Sequence, residues 1–369
     1  MKERVRRIFE KLGEPAEAVV FVNSIDTHLD QSFFYVFDVP AGLFEGSIAL
    51  ATPDGELRVL SSVLEEETAR QAAQHDPHVT VEVMENEESK RKWVAEHLGG
   101  RHQVALNYSE LTHREFLALE KAAPSTKWLD ASTAVRKARA VKDAREIERL
   151  RKAGAIGSRV AELIPGMLHR GVTESELAAE IEHQMMRAGA SGRSFSTIVG
   201  FGRNGAEPHY APQDVRLEPN MSMVCDFGAF FRRYASDITR SFHFGPTDPE
   251  LKAVHECVEA AQKAGFEAVR AGALGKEVHL AAQKVIDASP WKGRFIHGVG
   301  HSIGLGVHDG FSMGPRGEEP LEVGMAVTVE PGIYLPGHGG VRIEDDVLVT
   351  EKGLEFLTTA PRGYLEVPA

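Results

Sequence analysis

Short apolar runs separated by turn residues dominate the first third of the chain. Ala18–Val22, Phe33–Phe37, Ser47–Ala51 and Leu57–Ser61 are runs of β-branched, aromatic and small apolar residues, each of strand length. Pro53-Asp54-Gly55 between the last two is a turn signal, so this pair predicts a hairpin. Apolar positions at helical spacing follow in Leu64–Gln74, Glu87–Leu98, His113–Ala122 and Ser132–Ala138. Short β-type runs lie between them, at Val79–Met84, Gln103–Asn107 and Lys127–Leu129. This alternation predicts an α/β domain of its own over residues 1–138.

The pattern then changes. From Val141 onward, apolar residues at 147, 150, 153 and 156 give the helical period, and Asp143 with Glu146 forms a capping-box start. A second helix is expected at Glu174–Ala188, followed by Gly/Ser-rich loops and apolar runs of strand length. Helices first and acid-bearing strands afterwards predict, over residues 139–369, a curved antiparallel sheet flanked by helices, an α+β domain. No internal repeat is visible in the letters.

Composition narrows the function classes. At 369 residues the chain is long enough for two domains. A net charge of -12, with no basic stripe, argues against a nucleic-acid partner. Two cysteines, Cys225 and Cys257, are too few for a disulfide framework and read as free thiols in a reducing compartment. The charged, amphipathic start Met-Lys-Glu-Arg-Val-Arg-Arg is neither a signal peptide nor a membrane anchor. A cytoplasmic protein with no membrane contact is expected.

Candidate chemistry concentrates in the second domain. Asp226 and Asp237 lie in D-F-G-A-(x)7-D-I-T-R, His301 in H-G-V-G-H-S-I-G-L, Glu330 in T-V-E-P-G-I-Y and Glu344 in V-R-I-E-D-D. Each sits at a strand end or tight turn. Four carboxylates and one imidazole make a hard, oxygen-rich donor set, suited to Mn²⁺-like ions, with Co²⁺ and Zn²⁺ also acceptable. Four acids close together repel unless cations neutralise them, so a pair of divalent ions is expected. Glu344 and Asp346 should face one way along their strand and Asp345 the other.

In order and spacing these residues resemble the pita-bread metallopeptidases: methionine aminopeptidases, Xaa-Pro aminopeptidases and Xaa-Pro dipeptidases (prolidases). The resemblance runs from about Val141 to the C-terminus. It implies a pita-bread catalytic domain behind a creatinase-like N-terminal α/β domain, and a homodimer. It further implies that Asp226 chelates one metal, that Asp237 and Glu344 bridge both, and that His301 and Glu330 are the terminal ligands that complete the shell of the second metal. A metal-activated water is then the nucleophile, with Glu330 as proton shuttle. His209 and His308 would hold the substrate and its oxyanion, and His297 has a similar place. The bland alternative for each histidine is a satisfied surface or core residue. Arg342 would border the substrate pocket, or be an exposed strand-end arginine. Arg316 has a spacing like that of the arginine that binds a dipeptide's carboxylate in some prolidases, on a shorter loop.

The two-domain layout favours the Xaa-Pro branch, because short methionine aminopeptidases lack the first domain. Xaa-Pro dipeptides are the expected substrate, with longer peptides and an Xaa-Pro aminopeptidase as the alternative. Two other classes compete. Gly300-His301-Ser302-Ile303-Gly304 satisfies the nucleophile elbow of serine hydrolases, G-x-S-x-G. The glycines and proline after Ser302 oppose the helix that an elbow requires. A non-catalytic, peptide-binding pita-bread protein would be expected to have lost ligands, and none is lost here.

Overall fold

The structure is a computed structural model that describes residues 1–246 and 248–369, save the side chain of Thr27. The chain divides into two units, Met1–Arg139 and Ala140–Ala369. In the first, a six-stranded mixed sheet forms from Ala18–Val22, Ile48–Ala51, Leu57–Ser62, Val79–Met84, Gln103–Leu106 and Lys127–Asp130. The expected hairpin is there, with Ile48 opposite Leu60 and Ala51 opposite Leu57. Helices Glu87–Leu98 and His113–Ala122 pack on the sheet through Trp93, Val94, Leu98 and Leu119.

One sequence-based expectation fails in this unit. Phe33–Phe37 is not a strand but belongs to the helix Gln31–Phe37. Asp30 caps it by accepting the Ser32 N–H at 2.7 Å, and Asp38 ends it in the left-handed region at φ 56°. All five residues are buried, and Phe33, Phe34 and Phe37 each meet the Phe44 ring. An apolar run buried on every side carries no period, so length and composition misled.

The second unit is a pita-bread fold built of two helix-and-sheet halves. In the first half, helices Ala144–Leu163 and Glu174–Arg187 cover a sheet of Ile198–Phe201, Met221–Phe227, Ile238–Phe244 and Glu366–Val367. Ile156, Val160, Leu177, Ile181, Met223 and Phe242 share that core. The helix Ala144–Leu163 starts on the expected capping box: Asp143 Oδ1 accepts the Glu146 N–H, and Glu146 Oε2 accepts the Asp143 N–H, both at 2.9 Å. In the second half, helices Pro249–Ala268 and Gly275–Asp287 pack on Ala326–Val329, Gly339–Arg342 and Asp345–Thr350 through Val258, Val278, Val327 and Val341. A backbone bridge between Thr239 and Glu344 links the two halves, and one between Ser302 and Val327 joins short strands within the second. The duplicated helix-and-sheet arrangement shows here although no repeat shows in the letters.

Candidate metal centre

Asp226 and Asp237 are brought together by strand pairing. Met221–Phe227 and Ile238–Phe244 run antiparallel with Asp226 opposite Thr239, which places Asp237 one residue before the second strand. Between them runs a tight hairpin, Phe231 opposite Tyr234. Its two turn residues, Arg232 and Arg233, hold φ of 47° and 74°, a region that Gly or Asn occupies more cheaply. Glu344 arrives from the other half through its bridge to Thr239. Glu330 follows the strand Ala326–Val329 and its N–H donates to the Val299 carbonyl at 2.7 Å, which sets it beside the strand Gly300–His301.

The five side chains converge. Asp237, His301 and Glu344 each offer a ligand atom, all within 4.8 Å of one another. His301 Nε2 lies 3.5 Å from Glu330 Oε1 and 3.7 Å from Asp237 Oδ2. Its Nδ1 sits 3.3 Å from the Ser302 carbonyl, the partner that leaves Nε2 bare and aimed at the acids. Asp226 Oδ1, Asp237 Oδ1 and Glu344 Oε1 are buried with no hydrogen-bond partner among the described residues. Burial, and then the neighbouring acids, raise Asp237 and Glu344 well above the ordinary carboxylate range. Burial pushes Glu330 up to about 8, with Arg342 opposing the rise and Asp226 adding to it. His301 is held down to about 3 by burial and by His308. Bare carboxylate oxygens facing an unprotonated imidazole are a donor set that a divalent cation completes. The residues fit the metal.

Around the acids, a polar network fixes their orientation. Arg342 Nη2 pairs with Asp226 Oδ2, its Nη1 donates to the Tyr334 hydroxyl at 3.0 Å, and its Nε donates to Thr239 Oγ1 at 3.1 Å. Thr239 in turn donates to Glu344 Oε2 at 2.6 Å. The Asp237 N–H donates to Asp346 Oδ2 at 2.8 Å, while Arg240, Arg362 and Gln262 hold Asp345 on the opposite face. The alternation expected for Glu344, Asp345 and Asp346 is present.

The histidines form the rim. His308 is exposed, and its ring stands edge-on to His301 with centroids 4.2 Å apart. Behind it, Asp309 lies 3.4 Å from Lys142 Nζ in a fully buried ion pair. A Cβ at Gly304 would come within 2.2 Å of Asp309 Oδ2, so only glycine fits there. His209 is exposed and lies near both His297 and His308; burial comes first in lowering the His308 imidazole, and the neighbouring His209 second. His297 Nε2 is 2.9 Å from the Tyr334 hydroxyl, and burial, then Arg342, hold it down to about 4.

Arg316 is not part of this assembly. It is exposed, in a loop whose Gly317 carbonyl accepts from Lys276 at the start of the helix Gly275–Asp287, and no hydrogen bond or ion pair joins it to the acids among the described residues. Arg342 is present but buried, its guanidinium occupied by protein groups, so it is no exposed strand-end arginine. Ser302 is 2% exposed, its hydroxyl accepts the Phe311 N–H at 2.9 Å, and no helix follows it. That geometry excludes a nucleophile elbow. Sequence reasoning missed Tyr334, Thr239 and the Lys142–Asp309 pair. Tyr334 closes the stretch E-P-G-I-Y and Thr239 lies inside D-I-T-R, so both stood within motifs read only for their acids. Lys142 stands 167 positions from Asp309 and gave no signal.

Comparison with known proteins agrees with this geometry. Residues 148–351 match metallopeptidase family M24, and residues 3–141 match the creatinase/prolidase N-terminal domain. A putative dipeptidase of Bacillus subtilis, YkvY, is 34% identical over 264 residues, which are 72% of this chain and 73% of that protein. The solved Xaa-Pro dipeptidase from Bacillus anthracis superposes with a TM-score of 0.88 at 30% identity, covering 99% of this chain and 98% of that one. The X-Pro aminopeptidase from Thermotoga maritima gives a TM-score of 0.88 at 31% identity, covering 99% of this chain and 100% of that one. The matched sequence, the pita-bread fold and the converging acids together place the chain in metallopeptidase family M24.

Proposed function

We propose that this protein hydrolyses the peptide bond preceding proline in short peptides, with two divalent metal ions, Mn²⁺ first among them, held by Asp226, Asp237, His301, Glu330 and Glu344. The observation that carries the metal reading is the meeting of Asp237, His301 and Glu344 around bare, buried carboxylate oxygens. The Xaa-Pro reading is supported by likeness to the dipeptidase and aminopeptidase named above.

In this reading Asp237 and Glu344 would be shared between the two ions, Asp226 would chelate one, and His301 and Glu330 would complete the ligands of the other. Divalent ions held there supply Lewis acidity and a hydroxide nucleophile at neutral pH. Glu330 carries the proton from the nucleophile to the departing amine. His209 and His308, on the rim, hold the substrate and donate to the developing oxyanion, and His297 buttresses Tyr334. Arg342 keeps Asp226 in place through its guanidinium. The free thiols of Cys225 and Cys257 support a reducing, cytoplasmic setting, and a homodimer is what the family resemblance implies. Among the described residues no helix is long and apolar enough to cross a membrane.

Dipeptides are the first reading of substrate length, in line with the dipeptidase relatives. A specific observation favours the aminopeptidase alternative. A dipeptide's free carboxylate needs a cation, yet Arg342 is spent on Asp226, Tyr334 and Thr239, and Arg316 stands exposed and apart. Apo-enzyme reloaded with Mn²⁺ and given Ala-Pro against Ala-Pro-Ala decides. Dipeptide preference lost in Arg316→Ala supports the dipeptidase; tripeptide preference indifferent to that substitution makes it an aminopeptidase. Cleavage of neither rejects the Xaa-Pro reading.

A further inference from the structure

One buried carboxylate outside the acidic cluster organises the site from behind. Glu174 opens the helix Glu174–Arg187 and is 0% exposed. Its Oε1 accepts the Phe201 N–H at 2.7 Å and Asn204 Nδ2 at 2.9 Å. Its Oε2 accepts the Tyr210 hydroxyl at 2.8 Å and the Gln213 N–H at 3.1 Å. All four donors are neutral, so the carboxylate is held by hydrogen bonds, aided by its place in the first turn of a helix.

All four donors also lie within residues 201–213. That stretch joins the strands Ile198–Phe201 and Met221–Phe227, and its only regular structure beyond Phe201 is the short 3-10 turn Gly202–Ala206. It carries His209, whose neighbour Tyr210 is buried and bound to Glu174. Asn204 Nδ2 donates to the Tyr210 hydroxyl as well, at 2.8 Å, which ties the turn to the residue after His209. On its other side the loop meets the strand Gly339–Arg342, where a Cβ at Gly340 would come within 2.1 Å of the Gly205 carbonyl oxygen. The loop is thus clamped between one carboxylate and one strand.

We propose that Glu174 is a positioning residue for His209: by gathering Phe201, Asn204, Tyr210 and Gln213 it fixes that imidazole on the rim beside His297 and His308. The proposal rests on the reading of His209 as a substrate contact. It acts without touching substrate or metal. Glu174→Gln keeps the volume but turns one acceptor into a donor facing donors, which leaves buried groups unpaired and frees the loop.

The test is a double-mutant cycle on the Mn²⁺-loaded enzyme, with whichever of Ala-Pro or Ala-Pro-Ala the wild type cleaves better. Glu174→Gln is expected to lower kcat/KM by about tenfold or more, since an ångström of misplacement is enough for that. Bound metal per chain should not change, and the His209 imidazole resonance of the metal-free protein should shift. In a His209→Ala background the same substitution should cost less than about twofold, because both changes remove one contribution. Tyr210→Phe, which leaves the carboxylate in place, should show a smaller loss with the same lack of additivity, and it decides the matter if Glu174→Gln does not fold. Equal losses in both backgrounds, or wild-type kinetics with an unmoved His209 resonance, overturn the proposal. Full activity in His209→Ala alone overturns the reading of His209, and the Glu174 proposal with it.

Discussion

At the scale of single residues, buried polar atoms carry most of the information. Ser302 is the plainest case. Its hydroxyl is turned into the fold toward the Phe311 N–H, so Ser302→Ala should keep most of the activity and an organophosphate probe should leave the protein unlabelled. Labelling at Ser302 would restore the serine-hydrolase reading. His243 is buried on Ile238–Phe244 with neither ring nitrogen partnered among the described residues, its ring 4.7 Å from that of Tyr364. Burial, and then His255, hold it down to about 4 from its ordinary 6.5, while Glu366 pulls the other way. Between those values the unfolded chain binds more protons than the folded one. The contribution of His243 is therefore complete above about 6.5 and is lost as pH falls toward 4. Thermal melts from pH 7 to pH 4.5 should show a shallower decline in His243→Phe than in the wild type. Parallel curves would remove His243 as a source of acid sensitivity.

At the scale of elements, local signals were legible where an edge or a period existed. The ends of Glu87–Leu98 and His113–Ala122 follow from caps and spacing alone, as does the capping box at Asp143. That box satisfies the Arg145 and Glu146 N–H groups, both at 2.9 Å, and frees Glu146 Oε1 to accept from the Tyr234 hydroxyl at 3.0 Å. Asp143→Ala should cost about 1–2 kcal/mol of stability and lower the melting temperature, whereas Asp143→Asn should cost much less. Equal melting of all three proteins would show that the cap contributes nothing. Gln31–Phe37 was illegible because its strongest feature, five consecutive buried apolar residues, fits strand and helix equally.

At the scale of the whole molecule, the two halves of the pita-bread unit meet at a cluster of acids that repel one another. Asp226 and Asp237 come from one half, and His301, Glu330 and Glu344 from the other. An ion that binds only the folded arrangement stabilises it by linkage. Removing metal with a chelator at pH 7 should lower the melting temperature, and the gap should narrow at pH 5, where protons take the cation's place on Asp237 and Glu344. The same preparation, titrated with Mn²⁺, should take up two ions per chain. Saturation at one ion, with all five side chains intact, would reject the dinuclear reading.

The sequence by itself determined the ligand types, their order and the capped helices, because these rest on residue chemistry and short-range spacing. The five candidate ligands were recognisable for that reason, whereas His209, His297 and His308 became candidates only through the family resemblance. Only the tertiary structure decided what surrounds them. Tyr334 and Thr239 reach Arg342 and Glu344, Lys142 reaches Asp309, and Glu174 reaches the loop of His209. Those partners stand up to 167 positions apart, and each is an ordinary polar residue in its own segment. Arg342 and Arg316 both stood near the metal motifs in the letters, but packing buried one against Asp226 and left the other in solvent. Hydrogen-bond partners across a fold depend on which backbones approach, and that approach is set by the packed core rather than by any local pattern.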